Sequence, residues 1–273
     1  MKFIDKTLNQ VEGNQLVDTF LNNQWSVVNS RYFDINYSTH PNHPFKLHLR
    51  PQLRTVMLRE QNNYCCYCMR IISVNSITFE HIVPQSEITL AGLNHYTHYP
   101  IIAQNVCLQS DFENASVKKN TPPYPLHIAY ENLTASCNGV LPDGSTKRTC
   151  NNFRGSNFVE PLFYVSTIED DITYFKGGIM LSSNSLHDTS IITLHLNYPL
   201  LQRIRQVWYH ISTENISDIE NADTESKRNV ILTLNLMGLP PNDRNSLIAV
   251  FKTNLFWNAL LQYKWFYSYY NQP

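Results

Sequence analysis

All six cysteines of this 273-residue chain fall between Arg50 and Gly155, and three of them share one short stretch, Tyr64-Cys65-Cys66-Tyr67-Cys68. Thiols this concentrated restrict the fold more than any periodic pattern, because sulfurs from separate segments must converge if they hold one metal ion. Cys65 and Cys68 have the CxxC spacing of a metal knuckle, and Cys137 and Cys150 offer two further sulfurs. Cys66 and Cys68 are too close for such a knuckle. Cys66 is therefore read as a bystander in the turn and, like Cys107, as a free thiol. The second half is unusual, with 12 residues between Cys137 and Cys150 where about two are usual. On spacing alone, a tetrahedral structural zinc and unrelated buried thiols both remain open. A redox CxxC fits poorly, since no βαβ pattern surrounds it.

The context of these thiols follows from the rest of the chain. The start, MKFIDKTLNQ, has no apolar core of a signal peptide, and no window reaches about 18 uncharged apolar residues, so a cytoplasmic protein without a membrane span is expected. Disulfides are unusual in that compartment, which favours metal binding. A hydrophobic content of 42% is enough for a sizeable core. The net charge of -1 gives no global positive field, so capture of a nucleic acid would need a local patch or a partner.

Three regions separate by composition. Residues 1–49 read as an N-terminal extension, with an amphipathic stretch from Leu8 to Trp25 and then a polar loop, STHPNHPFKLH. Residues 50–156 form the cysteine-bearing core, entered by a helix through Leu53, Val56 and Met57. A short hairpin is expected over RIISVNSITFEHIVPQ, with its break at Asn75-Ser76, and a long Asn-, Pro- and Tyr-rich insertion over about 87–130. Residues 157–273 are mostly helical: LNYPLLQRIRQVWYHIS, ESKRNVILTLNLMG and NDRNSLIAVFKTNLFWNALLQYKWFYSYY have helical period, while ITYFKGGIML reads as two strands about a Gly-Gly turn. The aromatic run Phe251 to Tyr270 reads as core helix. The class is α+β.

The residues between the cysteine pairs add a pattern. FEHIVPQS places Glu80 and His81 on a strand-like run, ENLTASC places Asn132 before Cys137, and CNNFRG places Asn151 and Arg154 after Cys150. This order of CxxC, acidic-His, Asn, Cys, Cys and a final Asn resembles the HNH nuclease family. The combination of CCYC, EHIVPQS, NLTASCNG and CNNFRG is similar to the PtuB-like HNH subunits of Septu and retron anti-phage systems. FVEPLF, YFKGGI and LNYPLLQRIR extend the likeness, which covers about Leu53 to Arg205.

The resemblance implies a ββα-metal finger braced by a four-cysteine zinc site of Cys65, Cys68, Cys137 and Cys150, embedded in a largely helical protein. It also implies a metal-dependent endonuclease working with a PtuA-like ATPase partner in anti-phage defence, with DNA ahead of RNA as substrate. His81 would be the general base, as hydrolysis of a phosphodiester near neutral pH requires. Glu80 and Asn151 would offer oxygens to Mg2+ or Mn2+, Asn132 would hold the loop and orient the imidazole, and Arg154, Lys147 and Arg148 would meet the phosphate backbone. Asn151 stands where the family often has His, Glu80 is one methylene longer than Asp, and Asn152 competes with Asn151 for the final position. His95, His98 and His127 in the insertion read as solvated loop histidines. The contrasting reading is a non-catalytic zinc-finger-like adaptor for nucleic acid or protein.

Overall fold

The computed structural model describes residues 1–25, 45–85, 89–108, 110–111, 121–141, 146–213 and 254–272. A 3-10 turn over Lys6–Asn9, capped by the Asp5 carboxylate, leads into α1 (Gln10–Trp25). The buried positions of α1, Gly13, Val17, Phe20 and Leu21, follow helical spacing. Leu8 lies outside that face and is 77% exposed. A π-helical turn over Phe45–Leu49 runs into α2 (Arg50–Glu60), whose Leu53, Val56 and Met57 are buried as their spacing predicts.

Strand β1 (Ile77–His81) follows a turn in which Ser76 N–H donates to the Ser73 carbonyl at 2.9 Å. The local hairpin expected here does not form. The backbone before the turn is already engaged, with Ile71 N–H on the Gln262 carbonyl and Ile72 N–H on the Asn63 carbonyl. β1 is left to pair with a strand from beyond the insertion. The insertion carries α3 (Leu90–Asn94), α4 (Pro100–Ala103), and the two-residue parallel pair β2 (Val106–Cys107) and β3 (Tyr124–Pro125). It returns as β4 (Leu133–Cys137), antiparallel to β1, with Ile77 opposite Cys137 and His81 opposite Leu133. After β4 the chain loops out and enters α5 (Cys150–Arg154).

The C-terminal part begins with α6 (Ile168–Asp171) and the hairpin of β5 (Ile172–Tyr174) and β6 (Met180–Ser182), as the Gly-Gly turn predicts. Gly178 has φ +79, and a Cβ there would meet the Gln202 carbonyl oxygen at 1.8 Å, so glycine is required. Next come α7 (Ser185–Thr193) and α8 (Pro199–Thr213), which buries Ile204, Val207, Trp208 and Ile211. The aromatic run contributes α9 (Asn254–Leu261) and α10 (Trp265–Tyr270), broken at residues 262–264. Leu260, Tyr263 and Phe266 are buried core residues. The ESKRNVILTLNLMG segment and the start of the last predicted helix lie outside the described residues.

The result is a mixed α+β fold of helices around small two-stranded sheets. The N-terminal segment packs into it: Lys6, 2% exposed, pairs with Glu60, which also accepts from the Tyr130 hydroxyl. Among the described residues no helix is long and apolar enough to cross a membrane.

Candidate functional site

Backbone hydrogen bonds bring the cysteine cluster together. Around the knuckle, Cys65 N–H donates to the Arg70 carbonyl at 2.8 Å and Met69 N–H to the Cys65 carbonyl at 3.2 Å, with Met69 at φ +60 to close the turn. The long Cys137 to Cys150 gap does not separate its ends. Thr149 N–H reaches the Gly139 carbonyl at 3.1 Å, Val140 and Arg148 form a bridge, and Cys150 returns beside Cys137. Gly139 at φ +66 permits this, since a Cβ would meet the Thr149 oxygen at 2.1 Å.

The sulfurs of Cys65, Cys68, Cys137 and Cys150 all lie within 4.8 Å of one another, with Cys68 and Cys137 at 3.7 Å. Zn–S bonds of about 2.3 Å put tetrahedral sulfurs about 3.8 Å apart. The four can hold a metal ion, and the spacing is compatible with structural zinc. Burial opposes ionisation of Cys65, but the neighbouring thiols, Cys137 and Cys150 first, favour its thiolate and bring it well below the ordinary value. Cys150 is held well above it by burial and by donation to Cys137 and Cys65. A divalent ion held by these sulfurs would displace their protons. Cys137 N–H also donates to the Cys65 sulfur at 3.3 Å. None of the six cysteines forms a disulfide, and Cys66 is buried beside the cluster.

At the other end of the β1–β4 pair lie the residues expected to do chemistry. Adjacent strand residues point to opposite faces, and Glu80 and His81 do so. Glu80 turns inward, 1% exposed, where it accepts from the Tyr67 hydroxyl at 2.8 Å and forms an ion pair with Arg154. Burial raises its carboxyl above the ordinary value, with Arg154 and Tyr67 opposing that rise. Arg154 is equally buried and donates to the carbonyls of His81 at 2.8 Å, Ile82 at 2.7 Å and Asn157 at 2.8 Å. These placements correct two sequence expectations. Arg154 fastens α5 to the end of β1, with its guanidinium enclosed, and does not face a phosphate backbone. The Glu80 carboxylate is committed to Arg154 and Tyr67, away from His81.

His81 is half-buried on the outer face. Its Nε2 lies 3.1 Å from the His127 carbonyl and 2.7 Å from the Gln85 amide. The His127 carbonyl can only accept and asks for the proton on Nε2, with the lone pair on Nδ1, whereas the Gln85 Nε2 beside it can only donate, so that tautomer requires the Gln85 amide to turn its oxygen to the ring. Burial pushes the imidazole down to about 3, opposed by the His127 carbonyl and aided by the charges of Arg154 and Arg50, so the ring is neutral at neutral pH.

Asn132 is fully buried and uses both ends of its amide. Its Oδ1 accepts from Val83 N–H at 2.7 Å, and its Nδ2 donates to the Val83 and Leu126 carbonyls at 3.1 and 2.6 Å. It thereby fixes the residue next to His127, whose carbonyl holds His81. Asn151 Nδ2 donates to the Phe79 carbonyl at 3.1 Å, while Asn152 turns away to the Asn138 carbonyl, so Asn151 is the one facing β1. Lys147 and Arg148 sit in the loop beside Cys150, and Arg148 donates to the Lys147 carbonyl. That is the far end of the β1–β4 pair from His81, about 13 Å along a strand rising about 3.3 Å per residue.

Sequence reasoning missed Tyr67, Gln85 and His127. His127 is not a solvated loop residue: its ring is half-buried, with Nε2 3.1 Å from the Gln85 carbonyl and its ionisation pushed down to about 4 by burial. Gln85, four residues after His81, was the available signal. His95 and His98 lie on the surface against Glu160, at 3.4 and 3.2 Å. Comparison with protein-family models, with curated proteins and with solved structures finds no match to this chain.

Proposed function

We propose that the chain is an HNH-type endonuclease that hydrolyses nucleic-acid phosphodiester bonds with His81 as general base. The observation that supports this best is the placement of His81: a half-buried imidazole on the outer face of β1, its Nε2 3.1 Å from the His127 carbonyl, with no hydrogen bond to its Nδ1 among the described residues. Nδ1 would take a proton from water, the water oxygen would form the new bond to phosphorus, and the bond to the leaving sugar oxygen would break, that oxygen then taking up a proton. Asn132 and His127 are positioning residues in this scheme. The β1, β4 and α5 arrangement, with Cys65, Cys68, Cys137 and Cys150 on a structural zinc, would be the finger that presents His81.

A hard divalent ion fits the site less well. Mg2+ and Mn2+ need oxygen donors, and of the expected pair only the Asn151 side-chain oxygen is on offer, because Glu80 is held by Arg154 and Tyr67. The same observation favours the second reading, a zinc-braced adaptor without catalysis. An anti-phage role with a PtuA-like ATPase rests on the likeness of the CCYC, EHIVPQS, NLTASCNG and CNNFRG motifs.

Cleavage of a panel of single- and double-stranded DNA and RNA, by wild type and His81→Ala with the neighbouring gene's product present, tests the proposal. Cleavage by wild type that is lost in His81→Ala, with folding and zinc content retained, supports it. Equal cleavage by both refutes it. Metal dependence is read from Mg2+, Mn2+ and EDTA arms.

A further inference from the structure

The expected phosphate contacts are in the wrong places, since Arg154 is enclosed and Lys147 and Arg148 lie at the far end of the β1–β4 pair, yet two other arginines stand on α2, the first of them over the face of β1 that carries His81. Phe79 and His81 are two apart on β1 and share its outer face. The Arg50 guanidinium lies over the Phe79 ring, 5.4 Å from its centroid. Arg54 is one turn further along α2, on the same helix face.

These two arginines differ from the others. Among the described residues, Arg59, Arg70, Arg148, Arg154, Arg203 and Arg205 each donate to an oxygen of the fold. Within that same set Arg50 and Arg54 donate to none, and no carboxylate pairs with either. The Arg54 Nε is buried with no hydrogen-bond partner, an arrangement that ordinarily costs about 1–3 kcal/mol. Burial first, and then repulsion from Arg50, bring Arg54 below its ordinary value. Two crowded guanidiniums with open donors, one of them orphaned in the fold, lack an anion. Guanidinium forks match phosphate oxygens in geometry and charge.

We infer that Arg50 and Arg54 form a clamp for a backbone phosphate of a nucleic-acid strand, laid across Phe79 next to His81. This rests on the nuclease reading for the identity of the ligand, but it concerns binding and not cleavage. It also explains how a chain with a net charge of -1 can take a polyanion, through a local pair and not a global field.

The test is fluorescence anisotropy with labelled single-stranded DNA, duplex DNA and single-stranded RNA, over a salt series, for wild type, Arg50→Gln, Arg54→Gln, the double variant and the control Lys176→Gln. The double variant is expected to bind about tenfold more weakly or worse, and its salt slope for duplex should fall by about 1.8, two contacts at about 0.9 each. The control should bind as wild type, and thermal melts should show all variants folded. Binding by the double variant equal to wild type, an unchanged salt slope, or no binding of any probe by wild type overturns the clamp. Arginine-dependent binding with no cleavage in any arm sinks the nuclease reading and leaves the clamp standing.

Discussion

Replacing Arg154 by Leu separates a structural ion pair from a catalytic one. The substitution leaves the Glu80 carboxylate 1% exposed with only Tyr67 as donor, and it strips donors from the carbonyls of His81, Ile82 and Asn157. Removing one partner of a buried pair costs about 3–5 kcal/mol. At about 2–4 °C per kcal/mol for a protein of this size, the melting temperature should fall by roughly 10 °C. Glu80→Leu added to Arg154→Leu removes the stranded charge, so the double variant should regain about 2 kcal/mol, the rest staying lost with the undonated carbonyls. In the single variant Glu80 loses the main force opposing its rise. Its folded pKa then lies further above the unfolded one, the penalty is greatest at high pH, and the gap to wild type should narrow as pH falls from about 7.5 to about 5.5. Urea denaturation of the four proteins at both pH values reads all of this. A single variant within about 1 kcal/mol of wild type, well under the cost of a broken buried pair, or a double variant losing the sum of both singles, would refute the assignment of Glu80 to the fold.

Three further outcomes are expected. Purified protein should carry about one zinc per chain by elemental analysis, and Cys150→Ser should lower both zinc content and melting temperature, since metal binding at such sites is coupled to folding; a zinc-free, fully stable wild type would remove the site. His81 and His127 have folded values of about 3 and about 4, below the ordinary value of about 6.5, so their contribution is complete above about pH 6.5 and is lost as pH falls. At about pH 5 each should cost about 2 kcal/mol of stability relative to neutral pH, which urea melts of His81→Ala and His127→Ala check by flattening the acid limb. Gly13→Ala should destabilise by about 1–3 kcal/mol despite better helix propensity, because its Cβ would lie 2.3 Å from Cγ of the buried Tyr130; a more stable variant would show that α1 does not pack there.

How much of this was legible depended on whether an element is set by local or distant contacts. The helices α2 and α8 and the β5–β6 hairpin were readable because period and turn chemistry are local. The β1 partner was not, since the choice between a local hairpin and β4 was decided by Ile71 and Ile72, whose N–H groups go to Gln262 and Asn63. At the break between α9 and α10, Gln262 receives Ile71 N–H and the Arg70 Nε–H, distant contacts that periodicity does not carry. Spacing marked Cys65 and Cys68 as a pair and the resemblance added Cys137 and Cys150, but the return of Cys150 beside Cys137 needed the positive φ at Gly139 and its close approach to Thr149.

The Glu80-His81 pair shows where motif reading stops and strand geometry takes over. Read as letters, the two residues suggest one shared task. On a strand they face opposite ways, so one carboxylate and one imidazole serve two different environments. Glu80 joins Tyr67 and Arg154 in a dry contact that fixes α5 against β1, and the same arginine holds the His81 carbonyl. The outward imidazole is thus placed from behind by the inward ion pair and from in front by the His127 carbonyl, itself set by Asn132. A substitution at Arg154 therefore reaches His81 without touching any substrate. Loss of cleavage in Arg154→Leu with clamp-dependent binding intact would mark displacement of His81, whereas loss of both would mark global unfolding, and the thermal melt tells the two apart.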